Sequence, residues 1–141
     1  MKNLFLLSFL IAFLFVLSNV QIYACSCVKN QSQRKLYQQA GAVVLGKVIA
    51  IETIDQATRT VRAKVRVEQV WKVDPRDSPI TVVTGDTCAF ALEKDKTYLL
   101  YVIRTESGEW ATSVCSGNKK RAQAGKSLRW LEKHGVITYV M

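Results

Sequence analysis

Two stretches, AVVLGKVIAIET at residues 42–53 and VRAKVRVEQVW at residues 61–71, decide how this chain folds. The first is rich in β-branched residues and too apolar for a surface strand, so it reads as a long central strand with Gly46 as a bulge or bend. The second alternates: Val61, Ala63, Val65 and Val67 fall on one side, and Arg62, Lys64, Arg66 and Glu68 on the other. That period of two, with one solvated face, is the pattern of an antiparallel strand. Ile54 to about Thr58 separate the two runs, a length suited to a hairpin connection.

Working outward, Val73 to Pro79 hold both prolines and turn the chain before a short third strand at Ile80–Val83. Gly85 to Ala89 read as a loop. KTYLLYVIR at Lys96–Arg104 is a fourth strand and Glu109–Val114 a fifth, joined through Thr105–Gly108. On the N-terminal side, Gln31–Ala40 suit a short helix ended by Gly41. On the C-terminal side, Arg121, Ala124, Leu128 and Leu131 share one helical face bounded by Gly135. Five strands in hairpin-rich groups with a helix at each end predict a mainly β fold, a five-stranded Greek-key barrel of the OB type, with an open β-sandwich as the alternative.

The 141 residues suffice for one domain with one core. Met1 to Asn3 carry one positive charge, Leu4 to Leu17 form an apolar run broken only by Ser8, and Ser18 to Ala24 are more polar. This is the pattern of a signal peptide over Met1–Ala24, too short in its apolar part for a spanning helix. The expected mature domain is 25–141, secreted and without a transmembrane segment. Cleavage removes Lys2 and leaves 19 basic against 11 acidic side chains, a formal charge of +8. Such a surface favours polyanions and says nothing about fold.

All four cysteines, Cys25, Cys27, Cys88 and Cys115, lie after the leader, and export delivers them to an oxidising space, so two disulfides are expected. A bridge between Cys25 and Cys27 would be strained, since neighbours two apart leave one residue to close the ring. Each therefore reaches Cys88 or Cys115, with both of those pairings open. A zinc site is disfavoured, because the C-x-C and two remote cysteines lack the paired C-x-x-C spacing of structural zinc modules.

Cleavage before Cys25 would create a free α-amine on a residue held by a bridge. An α-amino group titrates at about 7.7 to 8.0, so a useful fraction is neutral near physiological pH and can donate to a metal, with its own carbonyl closing a five-membered chelate. Catalytic zinc in metalloproteases keeps one open position for the attacking water, and an amine there would silence the enzyme.

The start C-S-C at Cys25, Ser26 and Cys27 resembles that of the tissue inhibitors of metalloproteinases and, more broadly, the netrin-type module. GAVVLGKVIAI at Gly41–Ile51 looks like that family's first long strand, and VRVEQVWK at Val65–Lys72 like its second. TYLLYV at Thr97–Val102 and TSVCSG at Thr112–Gly117 resemble the fourth and fifth strands and their cysteine. The resemblance implies the pairing Cys25–Cys88 and Cys27–Cys115. It implies a non-enzymatic, cofactor-free inhibitor that chelates the zinc of a target metalloprotease through the amine and carbonyl of Cys25. Ser26 would point toward the primed-side pocket, and Cys27, Val28 and Lys29 would continue along the cleft. Thr87, Cys88 and Ala89 would complete one contact ridge. Tyr37 stands where the family's third bridge would begin, no cysteine follows Cys115, and the chain ends after one module.

The alternative is a non-inhibitory netrin-type interaction module that binds glycosaminoglycan or an extracellular partner through its basic surface. Arg62, Lys64 and Arg66, with Lys119, Lys120 and Arg121, are the candidates for a polyanion-binding face. Ile22 to Cys25 also approximate a bacterial lipoprotein cleavage box, in which Cys25 would be lipid-anchored. Trp71, Tyr98, Tyr101 and Trp110 could stack bases in an OB barrel, but export and core packing argue against a nucleic-acid partner. His134 sits alone near a helix end, where the dipole accounts for it.

Overall fold

The computed structural model describes residues 25–72, 78–136 and 138–139. The expected leader at 1–24 and residues 73–77 of the expected turn lie outside them. Helix α1 (Gln33–Gln39) precedes strands β1 (Ala42–Asp55), β2 (Thr60–Lys72), β3 (Ile80–Thr84), β4 (Thr97–Arg104), β5 (Trp110–Ala111) and β6 (Lys119–Lys120). Helix α2 (Gly125–His134) and strand β7 (Thr138–Tyr139) follow.

The hairpin β1–β2 is antiparallel, with Val48 opposite Val65 and Thr53 opposite Val61. Its first half also pairs antiparallel with β4, Ala42 facing Val102 and Lys47 facing Thr97. β2 continues to β3, β3 runs parallel to β5, and β5 pairs antiparallel with β4. The order β1-β2-β3-β5-β4 therefore returns to β1 and closes a five-stranded barrel of the expected OB type. Closure removes the unpaired sheet edges of an open sheet.

β1 pairs with β2 along its length and with β4 over its first half, and its register with β2 shifts between Leu45 and Gly46. A Cβ there would fall 2.5 Å from Val65 Cγ1 and 2.9 Å from the Arg66 carbonyl. Alternation then sorts the strands into two cores. Val44, Val48, Val65, Val67, Tyr98, Leu100 and Val102 fill the barrel interior. Val43, Leu45, Leu99, Tyr101 and Trp71 face outward and are covered by Leu36 of α1 with the adjoining Ala40 and by Leu131 of α2 with the adjoining Ala124.

Helix α1 has only seven residues, too short to hold itself, and both ends are tied. Ser32 caps its N-terminus, its hydroxyl accepting from the Lys35 N–H at 3.3 Å. At the other end Lys72 Nζ donates to the carbonyls of Tyr37 (2.8 Å), Gln38 (3.0 Å) and Ala40 (2.6 Å). These are helix-end carbonyls that lack intrahelical donors. The Tyr37 hydroxyl donates to the Trp71 carbonyl at 2.7 Å, and its ring meets Trp130 of α2 edge-on at 5.8 Å. Tyr37 thus links α1 to both the barrel and α2 by non-covalent contacts.

Two expected elements differ. The fifth strand keeps only Trp110 and Ala111: the Thr112 N–H still donates to the Val83 carbonyl of β3 at 3.0 Å, but its hydroxyl donates to the Tyr101 carbonyl and Ser113 then caps a 3-10 turn at Val114–Ser116. The C-terminal helix starts at Gly125; Arg121 lies in a separate 3-10 turn, exposed and paired with Glu68 at 3.3 Å, rather than on the buried face. Trp71, Tyr98, Tyr101 and Trp110 are all buried, as core packing required. No helix among the described residues is long and apolar enough to cross a membrane.

Candidate functional site

Both bridges form, Cys25–Cys88 and Cys27–Cys115, each with a Cα separation of 5.2 Å. They lie against one another, Cys25 Sγ 3.5 Å from Cys115 Sγ. With every cysteine bridged, the sulfurs of Cys25, Cys27 and Cys115, all within 4.8 Å of one another, carry no thiolate for a metal. The segment Cys25–Val28 has no regular secondary structure and turns at Lys29 and Asn30 into α1. Ser26, Val28 and Lys29 are exposed.

Cys88 is carried by a 3-10 turn at Asp86–Cys88 directly after β3. Gly85 lets this turn pack on the β1–β2 hairpin: a Cβ would fall 2.3 Å from Thr60 Oγ1 and 2.8 Å from Thr60 Cα. The Asp86 N–H donates to the Thr58 carbonyl at 2.9 Å, and the Phe90 N–H to the buried Thr84 hydroxyl at 2.7 Å. Thr87 is left exposed, with Cys88 and Ala89 half-buried. The bridge thereby places Cys88, with its chain neighbours Thr87 and Ala89, beside Cys25.

Cys115 is held by a second scaffold. The Asn118 amide accepts from the Tyr101 N–H at 2.8 Å and donates to the Thr112 hydroxyl at 2.7 Å and the Ser113 carbonyl at 2.9 Å. Gly117, at φ 90°, completes the turn and sits against Leu36 of α1, where a Cβ would fall 2.7 Å from Leu36 Cδ1. The Tyr101 hydroxyl donates to Gln33 Oε1 at 3.1 Å, and burial pushes its pKa up to about 12.

Sequence reasoning missed a third segment of this surface. The hairpin tip at residues 56–59 lies beside the Cys88 turn, so that Ala57, Thr58, Arg59, Asp86, Thr87 and Ala89 line one shallow cleft of about 380 Å³. Asp55 shapes the tip by accepting from the Ala57 N–H and the Thr58 hydroxyl, both at 2.9 Å. Those bonds, the hydroxyl first, hold its carboxyl below the ordinary value. Asn30, Arg59 and Asp86 each take a positive φ, of 58°, 53° and 64°. Arg59 and Asp86 of these line the cleft, and left-handed backbone at such non-glycine residues is locally unfavourable, held there by the hairpin turn and the packing of the Cys88 turn on it. Asp55 followed by a polar run was the available signal for the tip; nothing in the sequence announced its contact with Asp86.

No model of a known protein family matches the chain, and no curated protein matches it.

Proposed function

We propose that this protein is a secreted inhibitor of zinc metalloproteases acting through the Cys25 end of its mature chain. The observation that carries the reading is the convergence of both bridges: Cys25–Lys29 is clamped beside Thr87, Cys88 and Ala89 by two covalent ties to two different turns. A segment fixed in this way loses little further freedom on entering a protease cleft. With the leader removed, the Cys25 amine and carbonyl form a bidentate donor pair at the tip of a ridge, the chemistry that takes the open position of a catalytic zinc. Ser26 follows as an exposed side chain for the neighbouring pocket, and Val28 and Lys29 extend the contact.

The test inserts one alanine before Cys25 in the exported protein and assays both forms against a panel of zinc metalloproteases with a fluorogenic peptide. The expected result is inhibition by the native form, none by the extended form, and matching melting curves, since both bridges remain. Equal inhibition by the two forms overturns the mechanism, as does N-terminal sequencing of the exported protein that starts anywhere but Cys25.

A further inference from the structure

We propose that the four cysteine sulfurs, once reduced, form a zinc site within this chain, so that one cluster alternates between two disulfides and a zinc tetrathiolate. The inference concerns a metal held by the protein's own sulfurs. It does not rest on the inhibitor reading, which uses the bridged form and another molecule's zinc.

The geometry starts from how closely the bridges pack. Cys25 Sγ lies 3.5 Å from Cys115 Sγ, to which it is not bonded, and the sulfurs of Cys25, Cys27 and Cys115 all lie within 4.8 Å of one another. The fourth, Cys88 Sγ, is bonded to Cys25. Zinc holds thiolates at about 2.3 Å in a tetrahedron, which sets neighbouring sulfurs about 3.8 Å apart. The contact already present between the bridges is close to that edge. In each bridge the Cα atoms are 5.2 Å apart, which leaves room for the paired sulfurs to part by side-chain rotation.

Sequence spacing disfavoured zinc because structural zinc modules bring their ligands together in local pairs. Here only Cys25 and Cys27 are local, and the fold supplies the other two. Cys88 rides on the 3-10 turn Asp86–Cys88, which the Asp86 N–H ties to the Thr58 carbonyl. Cys115 sits in the turn Val114–Ser116, capped by Ser113 and followed by Asn118, which bonds Tyr101 and Thr112. Both turns are fixed by hydrogen bonds that do not depend on the sulfur links. Reduction therefore leaves two ligands in place and frees only the segment that carries the other pair. The Thr87 hydroxyl, 3.9 Å from Cys88 Sγ, donates toward it and is a ready partner for a thiolate.

The chemistry balances with a dithiol as reductant. None of the four cysteines is buried, so a small molecule reaches both bridges. Each bridge takes two electrons and two protons from a dithiol, which closes to its own disulfide, and leaves two cysteine thiols. Zinc then displaces the four thiol protons and forms four Zn–S bonds. Soft thiolate donors select zinc over calcium or magnesium. The metal closes the same chain loops as the bridges, so it takes over their task of holding the Cys25 segment on the barrel.

The experiment reduces the whole exported protein anaerobically with a phosphine, which brings no competing thiolate, and titrates it with cobaltous ion and then with zinc. The expected result is one equivalent of cobalt bound, with intense thiolate-to-metal charge-transfer absorption and the visible bands of a tetrahedral site, all lost on adding one equivalent of zinc. Zinc should raise the melting midpoint of the reduced protein and leave that of the bridged protein unchanged. Near-ultraviolet circular dichroism of the reduced, zinc-loaded protein should match that of the bridged protein. Cys27→Ser and Cys88→Ser, each with three thiolates after reduction, should each lose about a quarter of the charge-transfer intensity. Absence of the tetrahedral cobalt spectrum overturns the proposal. So does cobalt binding as tight in urea as in native buffer, which would show that any unfolded chain with four cysteines suffices, or a zinc-loaded form whose circular dichroism is that of an unfolded chain.

Discussion

Replacing Lys72 with methionine keeps the aliphatic stem over the Tyr37 ring, where Nζ sits 5.3 Å from the centroid, and removes only the charge and its donors. Three carbonyls at the end of α1 then lose their shared donor. Hydrogen bonds to a charged group contribute about 1.5 to 3 kcal/mol net, and a cation at a helix C-terminus about 0.3 to 1 kcal/mol. The Tyr37 and Ala40 bonds are part-buried and the Gln38 bond is exposed, so the carbonyls regain water on substitution and the three bonds do not add in full. The expected loss is about 2 to 3 kcal/mol. For a domain of this size that lowers the melting midpoint by roughly 6 to 15 °C. Thermal unfolding followed by near-ultraviolet circular dichroism, with the disulfides intact, measures it. Lys72→Arg, which keeps a charge and several donors, should fall between the two. A midpoint within about 2 °C of native for the methionine variant would refute the idea that this ammonium holds α1 on the barrel.

Asn118→Ala removes three hydrogen bonds at once and leaves the Tyr101 N–H without its acceptor; urea unfolding should show a loss of about 2 to 4 kcal/mol, and a loss below about 0.5 kcal/mol would exclude a scaffold role. Tyr101 gives a pH test. Its folded value of about 12 lies above the ordinary 10.0, so the folded state keeps its proton where the unfolded state has lost it. That contribution is whole below pH 10 and disappears as pH rises toward 12. Stability measured across this window should fall more steeply for the native protein than for Tyr101→Phe, and parallel curves would contradict the assignment.

The barrel strands were legible where a single strand's own pattern decides them. The clean alternation of 61–68 and the β-branched run of 42–53 each state their faces directly, and Gly46 marked a shift of register. What joins β1 to β4 and β3 to β5 was not legible pair by pair, because such long-range pairing depends on barrel closure and leaves no local spacing. The short β5 shows the limit well. Residues 109–114 have ordinary strand character, yet the Thr112 hydroxyl is engaged by Tyr101 and Asn118, partners 11 and 6 residues away. The cysteines announced that the ridge would be tethered, whereas the hairpin tip joined it through a backbone bond from Asp86 to Thr58 that no side chain encodes. Lys72 was visible only as the polar end of a strand; its task lies more than 30 residues upstream, at the end of a helix it does not belong to.

The spans of the two bridges overlap: one joins 25 to 88, the other 27 to 115. A single cut of the backbone anywhere between Cys25 and Cys115 therefore liberates no fragment, because at least one sulfur link always spans the break. A polypeptide tied in this way can be nicked in a loop and still remain one covalent object.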